Sequence, residues 1–310
     1  MIKGWVATMT TKTILATAAV LMTLALSGCW CGHVPDTSPE VERQLRAEIL
    51  AKHLAILELN SSAGTKIIQV DGQSSEWIPA PWMDWSVGEA IGTTDNGRGV
   101  LYWQERSDGV TEIVTVDRHG RKVRTIKRPC GSRTLSQDLH HVACYGPCEC
   151  DGCGGMSCFS MDKLIKPIGS IDWSPDASQL VYATNDKIFV YDLRSDRSTA
   201  LADGADVSWS PDGSWIAYRQ DRDIKLISPT GRQVRTLVRD AYHDQTTAPV
   251  KWSPDSAYVL TGLTSYKFPI SDGWWASQRV EVIRVSDGAE LTLLYPWATG
   301  ISLIEWIRLE

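Results

Sequence analysis

Trp173-Ser174-Pro175-Asp176 returns as Trp209-Ser210-Pro211-Asp212 and again as Trp252-Ser253-Pro254-Asp255, with starts 36 and then 43 residues apart. A tetrapeptide recurring at such a period marks a solenoid or a propeller, in which each unit buries its apolar face only against its neighbours. In the middle copy Gly213 follows, so Ser-Pro-Asp-Gly fits the four positions of a type I β-turn: Pro presets φ at the second and Gly suits the fourth. Each copy therefore ends one strand and turns into the next. The chain has fourteen Trp against three Phe, and three of those Trp occupy this one repeat position. They are expected to be core between repeats, because Trp buries a large area per side chain.

The residues after each motif alternate as strands do. Leu180-Val181-Tyr182 and Ile216-Ala217-Tyr218 read as second strands, Lys187–Leu193 and Asp223–Ile227 as third strands, and Ser198–Leu201 and Gln233–Leu237 as fourth strands. Two weaker copies precede the clear ones, Asp84-Trp85-Ser86 and Leu135-Ser136-Gln137-Asp138. A last copy is Ile301–Trp306, a first strand with its Trp. Its missing partners are the unaccompanied strands at 54–70, so pairing the N-terminal strands with the C-terminal strand closes a ring and removes the exposed sheet edge. Units at 85, 135, 173, 209, 252 and 306 predict an all-β β-propeller of six four-stranded blades over 54–310. A short helix precedes it: Ser38 is the N-cap, Pro39 opens the first turn, and Val41, Leu45 and Ile49 form one apolar face expected to seal an end of the domain.

Trp209-Ser-Pro-Asp-Gly-x-x-Ile-Ala-Tyr218 resembles the WD-repeat-like β-propeller motif of the TolB family, strongly over 169–239, moderately over 247–295 and weakly over 54–168. The resemblance implies a six-bladed propeller. No partner-binding residues of that family align, so its partners do not carry over.

The N-terminus reads as a targeting signal over 1–28, with Lys3 and Lys12 ahead of the apolar run Ile14–Leu26. It ends in Leu26-Ser27-Gly28-Cys29, which resembles the bacterial lipobox. That resemblance implies lipidation of Cys29 and an extracytoplasmic protein held to a membrane by its lipid; the polar stretch Trp30–Thr37 suits a tether, so that tether and short helix together fill 29–53. Removing the signal takes the net charge from −6 to −8. An acidic chain lacks the Lys and Arg excess that phosphate neutralisation requires, so no nucleic-acid partner is expected. The basic cluster Arg118–Arg128 reads as a solvated hairpin.

Beyond Cys29 and Cys31, six cysteines fall between 130 and 158: Cys130, Cys144, Cys148, Cys150, Cys153 and Cys158. In an oxidising compartment an even local set points to disulfides stapling an insertion at about 144–158. A zinc site drawing on these thiolates with His140 and His141 is the alternative, weakened by spacing unlike a zinc ribbon, and redox-active thiols are a third. No Gly-x-Ser-x-Gly elbow or phosphate loop occurs. Tyr266, Phe268, Trp274 and Trp275 lie in an insertion read as an aromatic binding loop, or else as a small cluster beneath it. The sequence therefore predicts a lipid-anchored binding scaffold for a protein or cell-envelope partner, without catalysis and without a cofactor. The alternative is a propeller lyase or glycosidase acting on a polysaccharide or peptide. His, Arg and acids converging in the central channel would favour the enzyme.

Overall fold

The computed structural model describes residues 38–60, 64–71, 75–79, 88–94, 96–108, 111–127, 132–144, 157–166, 168–239, 250–270, 273–295 and 303–309. The expected signal over 1–28, the expected lipidation position Cys29 and the cysteines at 130, 148, 150 and 153 lie outside them.

The local rule that builds the molecule is the turn. At Ser210 the Gly213 N–H donates to the Ser210 carbonyl (2.9 Å), and the Ser210 hydroxyl donates to Asp212 Oδ1 (2.6 Å) while accepting from the Trp215 N–H (2.9 Å). The Ser214 N–H completes the turn on Asp212 Oδ1 (3.0 Å). Ser174 with Asp176 and Ser253 with Asp255 repeat this set. So does the degenerate Ser136 with Asp138, which shows that Ser and Asp, more than Trp and Pro, specify the turn. The residue after each Asp is left-handed, with φ 55° at Leu139, 53° at Ala177, 75° at Gly213 and 59° at Ser256. A type I turn followed by one left-handed residue is a common three-residue hairpin connection.

Six sheets result. The second blade is β4 (Gly88–Thr94), β5 (Gly99–Glu105), β6 (Thr111–Asp117) and β7 (Lys122–Lys127). The third is β8 (Ser132–Leu135), β9 (His141–Cys144) and β10 (Ser157–Ser160). The fourth is β11 (Ser170–Trp173), β12 (Gln179–Thr184), β13 (Lys187–Asp192) and β14 (Arg197–Asp203). The fifth is β15 (Ala205–Trp209), β16 (Ile216–Gln220), β17 (Asp223–Ile227) and β18 (Val234–Val238). The sixth is β19 (Lys251–Trp252), β20 (Tyr258–Ile270), β21 (Gly273–Arg284) and β22 (Glu290–Tyr295). The first blade is assembled from both ends of the chain: β23 (Leu303–Arg308) lies beside β1 (Leu54–Asn60), then β2 (Gly64–Ile68) and β3 (Ser75–Ile78). Antiparallel pairing of Ile56 with Trp306 and Glu58 with Ile304 closes the ring as the sequence predicts.

The motif Trp side chains are core. Trp173, Trp209, Trp252 and Trp306 are all buried, each in the apolar cluster shared with the preceding blade: Trp209 with Val181 and Ile188, Trp252 with Ala217 and Ile224, Trp306 with Tyr258 and Leu260. Two of them also reach back by hydrogen bond, Trp252 Nε1 to Ser208 O (3.0 Å) and Trp306 Nε1 to Lys251 O (3.3 Å).

The helix α1 (Pro39–Ala51) has the expected Ser38 cap, which accepts from the Val41 N–H. Leu45 and Ile49 join the cluster between the sixth and first blades, so the helix covers the seam where the ring closes. Its polar residues fasten the same seam: Arg284 Nη1 pairs with both Glu48 oxygens (2.9 and 2.8 Å), and Lys52 pairs with Asp255 (2.7 Å) while standing over the Tyr258 ring. No helix among the described residues is long and apolar enough to cross a membrane.

Three details depart from the sequence reading. Asp84-Trp85-Ser86 lies outside the described residues, and the turn of the second blade falls at Thr94–Gly97, where the Gly97 N–H donates to Thr94 O (3.1 Å). Among the described residues the third blade has three strands, and its β10 returns parallel to β9 after the cysteine-rich connection. The stretch Tyr266–Trp275 is a β-ribbon rather than a loop, since β20 and β21 pair without interruption to Ile270 and Gly273 apart from one bulge between Ser265 and Lys267.

Candidate functional site

The innermost strands β23, β4, β8, β11, β15 and β19 surround a cavity of about 600 Å³, the central channel. Alternation along a strand places the residue before each motif Trp on a separate register from the core Trp. Taken around the ring, this position is Glu305, Gly92, Thr134, Asp172, Ser208 and Lys251, one residue from each blade, and all six line the cavity. Gly92 shows how close the belt is: a β-carbon added there would lie 3.8 Å from Glu305 Oε1. Pro211, Pro254 and Gly97, all from repeat turns, line the same cavity.

Three ionisable side chains, Asp172, Lys251 and Glu305, lie in the belt. Lys251 Nζ is 2.6 Å from Glu305 Oε1, and these side chains are 28% and 12% exposed, so their remaining exposure opens onto the cavity they line. Asp172 Oδ1 accepts from the Trp173 N–H (2.9 Å), and Oδ2 accepts from the Trp209 N–H (2.8 Å) and the Ser208 hydroxyl (3.3 Å). Burial pushes the Asp172 carboxyl above the usual range against the opposing pull of the Trp209 N–H and Lys251. Burial alone would lower Lys251, but Glu305 and then Asp172 raise it above its ordinary value, which keeps the ammonium charged.

These contacts strap blades together. Asp172 caps the free inner edge of β15 in the next blade, the Ser170 hydroxyl accepts from the Val207 N–H (3.0 Å) across the same gap, and Lys251 ties the sixth blade to β23 of the first. The sequence reading did not find the belt. Its available signal was the position before an unvarying Trp, which changes from Asp to Ser to Lys to Glu.

Of the residues singled out from sequence, Cys144 is buried on β9, and Cys158 on β10 packs beside it in the cluster with Leu101 and Ile113. His140 is exposed in the turn of the third blade. His141 lies on β9 with Nδ1 3.6 Å from Asp138 Oδ1 and its ring 5.8 Å from that of Trp173. Among the described residues no three His, Cys, Asp or Glu side chains converge as a metal site. Tyr266, Phe268, Trp274 and Trp275 fall on the far part of the β20–β21 ribbon, where Phe268 stands opposite Trp275 and Pro269 opposite Trp274. β19 pairs only with Val259 and Leu260, and β22 reaches only to Gln278, so among the described residues the ribbon beyond these points has no flanking strand.

No family model and no curated sequence matches the chain. Solved structures similar to the chain do exist. A TolB-assigned protein from Agrobacterium tumefaciens is 18% identical, with 80% of this chain and 99% of that chain covered and a TM-score of 0.46. An oligogalacturonate lyase from Vibrio parahaemolyticus is 9% identical over 77% of this chain and 73% of that one, with a TM-score of 0.37. The WD40 domain of a Toxoplasma gondii coronin is 13% identical over 70% and 65%, with a TM-score of 0.35. At such identities and scores these likenesses carry no argument, and the propeller fold rests on the six sheets themselves.

Proposed function

We propose that this protein is a lipid-anchored, extracytoplasmic scaffold: Cys29 carries the lipid, the closed ring supplies rigidity, and the ribbon of β20 and β21 presents Tyr266, Phe268, Trp274 and Trp275 to a protein or cell-envelope partner. The observation that carries this reading is the ribbon itself, a two-stranded extension outside the blade sheets that brings four aromatic residues onto one element. Unflanked strand edges are natural sites for pairing with another chain, and Trp and Tyr are enriched at interfaces. The −8 charge of the mature chain supports a partner other than nucleic acid.

The belt supports binding over catalysis. A lyase or glycosidase needs a carboxylate or amine ready to move a proton. Here Asp172 is committed to two backbone N–H groups and a hydroxyl, Glu305 is paired, and Lys251 is held charged. For the cysteine insertion, disulfides are favoured over zinc, a reading supported by the disulfide bond of Cys158.

The test is co-purification from the native envelope of the full-length protein against a variant in which 265–277 is replaced by a two-residue Asn-Gly turn. The scaffold reading requires a partner that copurifies with the first and not with the second, at equal melting temperature. Retention of the same partner by the shortened variant would refute it.

A further inference from the structure

We propose that the central channel is a binding site for a free α-amino acid with an apolar side chain, held as its zwitterion by the Lys251–Glu305 pair. The proposal is independent of the ribbon and the lipid anchor. The cavity of about 600 Å³ falls within the span typical of small-molecule sites. It has two unlike walls. One carries the belt side chains of Asp172, Lys251 and Glu305. The other, from the second and third blades, carries Ile91 and Leu135, half-buried, with Leu101 and Ile113.

The class of ligand follows from what the belt leaves unspent. Lys251 Nζ has a single hydrogen-bond partner among the described residues, Glu305 Oε1, although an ammonium has three N–H donors. Glu305 likewise offers further acceptor capacity, whereas both Asp172 oxygens are already engaged by the Trp173 and Trp209 N–H groups and the Ser208 hydroxyl.

A ligand bearing only an amine leaves the remaining Lys251 N–H groups unused. One bearing only a carboxylate leaves the remaining acceptor capacity of Glu305 unused. Either forgoes a charge-assisted hydrogen bond in a partly desolvated site, where such bonds are stronger than in water. A zwitterion leaves the net charge of the belt unchanged. Its carboxylate accepts from the unspent Lys251 N–H groups, and its ammonium donates to Glu305. An α-amino acid carries those two groups on one carbon, which matches an ion pair of 2.6 Å, and its side chain is left to the Ile91–Leu135 wall.

The experiment is isothermal titration calorimetry on the full-length protein in detergent micelles. The probes are l-leucine, l-methionine and l-phenylalanine, with 3-methylbutylamine and 4-methylpentanoate as the amine-only and acid-only counterparts of leucine. At least one amino acid should bind saturably, and both single-charge analogues should bind at least about tenfold more weakly, since each leaves a belt charge unmatched. Lys251→Met, which keeps the aliphatic stem, should cost a similar factor for the amino acid and little for 3-methylbutylamine. Absence of saturable binding by all three amino acids overturns the proposal, as does an analogue that binds as tightly as leucine. Should Lys251→Met fail to fold, the wild-type analogue series alone decides the question.

Discussion

Gly97→Ala tests how the ring closes. β23 and β1 come from opposite ends of the chain, so no Ser-Pro-Asp turn joins them, and the position such a turn would fill is occupied by Gly97 of the second blade. Gly97 O accepts from the Arg308 N–H (2.8 Å), and a β-carbon at Gly97 would fall 2.9 Å from Pro254 Cγ, 3.3 Å from Arg308 N and 3.4 Å from Trp306 O. Three blades thus meet over one hydrogen atom. The φ of +81° costs an alanine roughly 1–2 kcal/mol. Crowding against a rigid proline ring and two backbone atoms adds about 1–3 kcal/mol, typical of overpacking. The expected total is about 2–5 kcal/mol.

Gly213 provides the control. Its φ is +75°, but an added β-carbon meets nothing nearer than Pro175 Cγ at 3.9 Å. Gly213→Ala should therefore cost only the conformational part, roughly 1–2 kcal/mol. Any stabilisation from restricting the unfolded chain is common to both variants and cancels in the difference. Urea denaturation of the two variants and the parent should place Gly97→Ala below Gly213→Ala by about 1–3 kcal/mol. Equal losses would refute the close three-blade contact.

Trp209→Ala removes a side chain buried between the fourth and fifth blades and should destabilise by about 3–5 kcal/mol in the same assay, whereas a near-neutral result would place the ring at the surface. The turn carboxylates make the fold acid-sensitive. The hydroxyl of Ser174 and the N–H of Ser178 lower the Asp176 carboxyl; Asp212 and Asp255 are raised by burial but brought below the usual range by Ser210 and Ser214, and by Lys52 and Ser253. A folded-state pKa below the unfolded one stabilises above about pH 4 and loses that contribution as pH falls through the folded values. The melting temperature should thus hold at neutral pH and fall on acidification below about pH 4, with a smaller drop in Asp212→Asn. A melting temperature that rises on acidification would contradict this. At the N-terminus, Cys29→Ala should abolish incorporation of labelled fatty acid and release the protein from membranes, and unchanged labelling would exclude the anchor.

Much of the fold was legible because its specification is local. Ser, Pro, Asp and Gly at fixed offsets dictate a hairpin turn whatever surrounds them, and the unpaired Trp306 strand together with the strands at 54–70 implied closure. The turn of the second blade is hard to see in the sequence because it is carried by Asn96 and Gly97, residue types that tolerate positive φ, without a Ser-Pro-Asp tripeptide. The ribbon is hidden in the sequence because Pro269 and Asp272-Gly273 are strand breakers. Proline is tolerated on a strand without a neighbour on that side, a circumstance that sequence alone does not show. The belt was missed for a different reason. Asp172, Lys251 and Glu305 are far apart in sequence, and each looks like an ordinary polar residue on an alternating strand. Only ring closure brings them to one level of one channel.

The scaffold role is tested most directly by site-specific photocrosslinking in intact envelopes, with a benzophenone side chain at Trp275 on the ribbon and, as control, at Val234, 56% exposed on β18 of the fifth blade. A discrete adduct from position 275, absent from position 234, is the predicted result. Equal adducts from both positions, or none from 275 while the protein is folded and membrane-bound, would contradict it.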